Sequence, residues 1–221
     1  MTTFVLVHGA FRGGWSWDRV RPLLEAAGHE VRTPTLSGTA TGLEVWVDEV
    51  TDLIVDADLT DVVLAGHSQG GVMVREVALR IPERLRHLVY LDAAVPDPGE
   101  RPVDVAPAPP DPATLPPRDA LVPPWPMVPG GDLDEETAAW ANELMTPTPF
   151  APSLDRVSLE SPTVPATYAF CTDTPAVVPC TTTRARLDDR GTPYVLIEAG
   201  HNAPLTRPEA VAELLLGAAT R

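Results

Sequence analysis

Five residues, Gly66-His67-Ser68-Gln69-Gly70, carry the most specific chemical signal in the chain. Four apolar residues, Val62-Val63-Leu64-Ala65, precede them, and a pattern with helical spacing follows from Gly71-Val72-Met73. A serine so placed stands on a sharp strand-to-helix turn, its hydroxyl held up at the end of a sheet. The flanking glycines suit a strained turn where strand and helix approach too closely for side chains. Short Gly-x-Ser-x-Gly matches also arise by chance in loops. The strand before and the helix after are what mark Ser68 as a nucleophile.

A serine hydroxyl is a weak nucleophile at neutral pH and needs a base within hydrogen-bond reach. Histidine suits the task, with an ordinary pKa near ~6.5. Of the five histidines, His201 follows the last apolar run, residues 194–198, in a Gly-His loop. In open parallel sheets that carboxyl edge is where catalytic side chains collect. His8 falls in the first loop, His67 is expected to point away from the serine, and His29 and His87 sit in polar junctions. The acid that orients the base is less sharply marked. Asp173, after the run 166–171, gives the order Ser68, Asp173, His201 and is the first choice. Asp92, after the run 87–91, is the alternative. Oxyanion donors are expected from the backbone N–H of Gln69 and from Ala10, in the loop His8-Gly9-Ala10.

These residues need elements to hold them. Strands are expected at Phe4-Val5-Leu6-Val7, at residues 30–34, 62–65, 87–91 and 166–171, and at residues 194–198. Helices are expected between them: one from Ser16 or Trp17 through Ala27, one carrying Leu43, Trp46, Val47, Val50 and Ile54, one after Ser68, and a last one opened by Pro208. Apolar strands alternating with helices indicate a parallel sheet covered on both faces, an α/β domain spanning residues 1–221. The alternation breaks at about 97–162. Sixteen of the 26 prolines fall between Pro96 and Pro152. Trp125, Met127, Trp140 and Phe150 are poor residues for a solvated linker, so this stretch is expected to cover the mouth of the sheet as a cap. Asp132-Leu133-Asp134-Glu135 has capping-box spacing ahead of a short helix at 138–144.

Composition excludes several chemistries. All sixteen basic residues are Arg, which removes Schiff-base lysine chemistry, lysine-anchored pyridoxal phosphate and Walker-type phosphate loops. Cys171 and Cys180 are too few for a disulfide scaffold or a four-ligand zinc site, and unpaired thiols are expected. No metal and no cofactor is expected. A net charge of −15 disfavours nucleic acid and anionic membranes, leaving a small-molecule substrate as the expected partner. The chain enters its first strand without a basic leader, so a soluble cytoplasmic protein is expected.

The chain also resembles the α/β-hydrolase superfamily, in particular the plant-type methylesterase and hydroxynitrile lyase branch and its bacterial relatives. The resemblance lies in Phe4-Val5-Leu6-Val7-His8-Gly9-Ala10-Phe11 with Gly14-Trp15-x-Trp17, in Gly66-His67-Ser68-Gln69-Gly70-Gly71, in Tyr90-Leu91-Asp92-Ala93-Ala94-Val95-Pro96, and in Gly200-His201. It implies a minimal α/β-hydrolase fold of about six parallel strands with the Pro-rich cap inserted. It also implies a serine hydrolase that cleaves an ester, thioester or lactone through an acyl-enzyme. A lyase or cyclase using the same Ser68 and His201 for proton transfer is the alternative, and a non-enzymatic ligand binder the remote one. Some superfamily members carry the acid after the earlier strand, and Asp92, four residues before Pro96, matches that arrangement. Phe11, Trp125 and Trp140 are the expected walls of an apolar pocket, which suits a small apolar or aromatic substrate.

Overall fold

Strand alternation sorts the apolar residues of this chain into two cores, one on each face of a central sheet. In the computed structural model, which describes residues 1–108 and 110–220, the sheet has six strands. They are β1 (Thr3–Val7), β2 (Glu30–Arg32), β3 (Val62–His67), β4 (Leu85–Leu91), β7 (Ala166–Cys171) and β8 (Val195–Ile197), all parallel, in the order β2-β1-β3-β4-β7-β8. Two further short strands, β5 (Leu121–Val122) and β6 (Thr148–Pro149), pair antiparallel in the inserted segment. The six expected parallel strands are all present.

Val5, Val7, Leu64, Leu88 and Tyr90 point to one face, where α2 (Leu43–Asp56) and α3 (Gly70–Arg80) bury Trp46, Val47, Val50, Val72 and Val77 against them. Phe4, Leu6, Val63, Ala65, Val89 and Leu91 point to the other. There they meet Leu24 of α1 (Arg21–Ala26) and Val211 and Leu215 of α8 (Pro208–Ala219). This two-sided burial is why the strands read as continuous apolar runs.

The first helix differs from expectation. Residues 14–17 form a 3₁₀ turn, and α1 starts only at Arg21, with Pro22 in its first turn. Proline has no N–H to donate and its ring clashes with the carbonyl four residues back, so an α-helix cannot run through it from Ser16. Gly28, with φ of 86°, ends α1.

The segment between β4 and β7 folds back onto the domain. Its main helix, α4 (Glu135–Leu144), is capped by Asp134, whose Oδ1 accepts the Thr137 N–H at 2.6 Å. The cap is therefore two residues later than the Asp132 box suggests. Met127, Leu133, Ala138 and Ala141 pack with Leu205, and Val157 enters the core beneath α2 and α3. The short α5 (Ala151–Leu154), α6 (Cys180–Arg190) and α7 (Ala203–Thr206) complete the chain. Among the described residues no helix is long and apolar enough to cross a membrane.

β3 and α3 meet without room for a side chain: a Cβ on Gly66 would lie 2.5 Å from the carbonyl carbon and oxygen of Gly70. Gly66→Ala is expected to cost about 1–3 kcal/mol, the usual scale of overpacking. Urea unfolding followed by circular dichroism checks this, and an unchanged midpoint would contradict it.

Candidate active site

The turn between β3 and α3 puts Ser68 at φ 55°, a left-handed conformation that a residue with a Cβ adopts only under constraint. The constraint comes from both sides. The Ser68 N–H donates to Leu91 O at 3.2 Å, and its carbonyl accepts from Gly71 N at 3.2 Å and Ala94 N at 3.0 Å. Opposite it lies the loop after β1, where a Cβ on Gly9 would come 2.8 Å from the Ser68 Cβ. Glycine there lets backbone, not side chain, face the serine.

His201 reaches Ser68 from the loop between β8 and α7, its Nε2 3.0 Å from the Ser68 Oγ. Its other ring nitrogen, Nδ1, lies 2.6 Å from Oδ2 of Asp92, not of Asp173. This corrects the first-choice acid. Asp92 directly follows β4, the strand next to β3, at φ 43° and only 1% exposed. Asp173 lies beyond the end of β7 with its side chain exposed, tied down through its backbone N–H to Ala199 O at 3.0 Å. The Asp92 carboxylate also accepts from Cys171 N at 3.1 Å and from the Thr174 hydroxyl. Burial opposes its ionisation, but these bonds, that from His201 foremost, outweigh burial and hold its carboxyl below the usual carboxylate range. With Nδ1–H donating to Asp92, the His201 Nε2 lone pair faces the Ser68 hydroxyl. The arrangement can accept the serine proton and stabilise the imidazolium that forms.

The backbone N–H groups of Ala10 and Gln69 have no acceptor among the described residues. Both residues line a narrow cleft with Gly9, Arg12, Leu36, Trp46, Met73 and Thr148. None of the three expected wall residues lines this cleft. Trp140 is taken up by edge-on packing with Trp15 at 5.4 Å, Trp125 is 74% exposed, and Phe11 faces Trp125 at 6.0 Å. Trp46, which sequence patterning assigned only to the α2 core, borders the cleft instead.

Four supporting residues escaped sequence reasoning. His67, expected to point away, is buried behind the site, its Nε2 2.8 Å from the His201 carbonyl and its ring 4.8 Å from that of His201. Burial, then the nearby His201 and Arg12, hold its pKa well below the ordinary value. Thr174 steadies Asp92. Asp132, from the inserted segment, accepts the Gly200 N–H at 3.1 Å and the Thr206 hydroxyl at 2.7 Å, fixing the His201 loop from above. Arg12 donates to Asn202, the neighbour of His201. His8 is also built in: its Nε2 accepts the Leu36 N–H at 3.0 Å while its Nδ1 lies 2.8 Å from Gly9 O. Accepting from Leu36 needs the neutral ring with its proton on Nδ1, and burial lowers its pKa to about 4. Cys171 and Cys180 are free, buried thiols, and burial raises the pKa of both.

A serine on a strand-to-helix turn, with its histidine brought from the last strand of a parallel sheet, defines an α/β hydrolase. The chain belongs to the Alpha/beta hydrolase family, whose sequence profile matches residues 4–214. It is 45% identical over 109 residues to a carbendazim hydrolyzing esterase of Nocardioides sp. (strain SG-4G), a match covering 45% of each chain. It is 38% identical over 105 residues to salicylic acid-binding protein 2 of Nicotiana tabacum, covering 42% of this chain and 40% of that one. The matched stretch thus spans less than half of either relative. Among solved structures, an extracellular alpha/beta-hydrolase from a Paenibacillus species superposes with a TM-score of 0.78 at 26% identity, covering 99% of both chains. The chain is related to plant methylesterases and hydroxynitrile lyase and to bacterial esterases.

Two tests follow from this geometry. Asp92→Asn is expected to slow phosphonylation of Ser68 by a fluorophosphonate about 10³–10⁴-fold, the usual scale when the acid of such a triad is lost. Asp173→Asn is expected to leave that rate within about twofold, since exposed substitutions away from special contacts do little. Equal losses would contradict the pairing seen here.

His8 titrates near 6.5 when unfolded and about 4 when folded. The unfolded chain therefore binds the proton first as pH falls. Stability from this residue is complete above pH 6.5 and is lost from there down to about pH 4, up to roughly 3 kcal/mol. Denaturation midpoints between pH 7 and 4 should fall less steeply in His8→Gln than in the wild type; parallel slopes would refute this.

Proposed function

We propose that the protein is a serine hydrolase that cleaves an ester, thioester or lactone of a small substrate. The observation that carries this reading is the unbroken hydrogen-bond chain Ser68 Oγ, His201 Nε2, His201 Nδ1, Asp92 Oδ2. In the proposed reaction Ser68 Oγ attacks the carbonyl carbon as its proton passes to His201 Nε2. Asp92 holds the imidazole in the required tautomer and balances the imidazolium. The N–H groups of Ala10 and Gln69 receive the oxyanion, and His201 returns the proton to the departing alcohol. His201 then removes a proton from water, which attacks the acyl-enzyme and frees Ser68. The relatives' names support a small substrate: they include esterases acting on carbendazim, pyrethroid hydrolases and methylesterases. The segment at about 97–162 acts in this scheme as a cap. Phe11 meets it through Thr148 and Thr146, Gln69 through Ser153, and Gly200 through Asp132.

A second reading keeps the residues and changes the reaction. The chain is 35% identical over 106 residues to an alpha-hydroxynitrile lyase of Arabidopsis thaliana. In a lyase Ser68 and His201 would move a proton and form no acyl-enzyme.

Phenyl acetate turnover and intact mass after fluorophosphonate treatment separate the two. The wild type should hydrolyse the ester and gain one phosphonyl adduct. Ser68→Ala should gain none and lose at least about 10³-fold in rate. A wild type with neither turnover nor adduct would remove the hydrolase reading in favour of the lyase.

A further inference from the structure

The loop after β1 places a cationic group in the cleft that the reaction above does not use. Phe11, at φ 66°, is clamped by the insertion on both sides. Its N–H donates to Thr148 Oγ1 at 2.6 Å and its carbonyl accepts from Thr146 N at 3.0 Å. The next residue, Arg12, lines the cleft together with Ala10 and Gln69, which carry the proposed oxyanion donors. One guanidinium nitrogen donates to Asn202 Oδ1. The other, Nη1, is buried with no acceptor among the described residues.

Most of the chain's arginines form ion pairs with carboxylates, including Arg75, Arg80, Arg101, Arg186 and Arg190. Among the described residues no carboxylate pairs with Arg12, whose pKa burial lowers to about 10. It is still charged at neutral pH. His8 and His67 are held neutral in part by this same charge. A desolvated cation without a counter-ion is costly, and a guanidinium offers a planar fork of donors that matches a carboxylate.

We infer that Arg12 is an anion-binding residue beside the oxyanion loop and that the substrate carries one carboxylate, seated on its free Nη1. The anion is placed on the substrate itself because Arg12 shares the cleft with Ala10 and Gln69, and the lining mixes apolar Leu36, Trp46 and Met73 with hydroxylic Ser37 and Thr148. The net charge of −15 disfavours a polyanion. This assignment rests on the ester-hydrolase reading and sharpens its substrate class.

Two substrate pairs differ only by a carboxylate in place of a terminal methyl. Monomethyl adipate against methyl hexanoate puts it on the acyl side, and 4-acetoxybutanoate against butyl acetate on the alcohol side. In one pair the wild type should prefer the anion in kcat/KM. Arg12→Gln should lower that anion-to-neutral ratio by about 10- to 100-fold, the range for hydrogen bonds to charged groups, and Arg12→Lys by less. The ratio cancels any general loss through Asn202 and His201. A wild-type ratio at or below one in both pairs, or a ratio unchanged in Arg12→Gln, would overturn the assignment.

A binding arm needs no turnover. Hexanoate should raise the Tm of the wild type and not of Arg12→Gln, while hexanamide and, at matched ionic strength, sulfate should not raise it. Equal shifts from all three, or none from hexanoate, would again overturn it. If no ester is hydrolysed yet hexanoate alone stabilises the wild type through Arg12, the hydrolase reading fails and the carboxylate site stands.

Discussion

Everything at this site depends on how closely three backbone segments approach around Ser68. β3 runs into α3 with Gly66 against Gly70, and Gly70 itself sits 2.6 Å, measured from a notional Cβ, from the Val7 carbonyl. The loop after β1 closes the third side through Gly9. No side chain larger than hydrogen fits at these three contacts, and the result is a serine held at φ 55°. Strain of this kind persists only where the surroundings over-determine it. Two packed core faces and the bonds from Gly71 and Ala94 to the Ser68 carbonyl supply that.

The electrostatics behind the serine follow from burial. Asp92 is almost fully enclosed, yet three donors keep it ionised, so a fixed negative charge stands behind His201. His8 and His67, also enclosed, are kept neutral and act as hydrogen-bonding struts. Three histidines of one chain thus face different surroundings. The one paired with a buried carboxylate is the one placed to take a proton from Ser68.

Much of this is legible in the residues themselves. The strands follow from apolar runs, and the glycine spacing around Ser68, set between an apolar run and a helical pattern, marks the strand-to-helix turn. His201 follows from its place after the last strand. The acid does not follow so directly. Asp173 and Asp92 both follow a strand at the carboxyl edge, and chain order alone favours Asp173. What separates them is lateral: β4 lies beside β3, and the loop after β8 folds back over it. Strand order is a tertiary property that no local spacing encodes. The position of Asp92 four residues before Pro96 is the one local sign of it.

The insertion was the least legible part, because proline-rich chain carries no periodicity from which to place contacts. Asp132 sits where a helix cap is expected, yet its carboxylate goes to Gly200 and Thr206, which lie far along the chain. Trp140 could wall a pocket by its type but packs on Trp15, because α4 turns that face toward the core. In the proposed triad Asp92, buried behind His201, orients the base that faces Ser68. Proton NMR of the His201 Nδ1–H tests it most directly, through the strongly downfield resonance that a short bond to a buried carboxylate produces. The wild type and Asp173→Asn should both show that resonance, and Asp92→Asn should lose it. Its loss in Asp173→Asn and survival in Asp92→Asn would contradict the account.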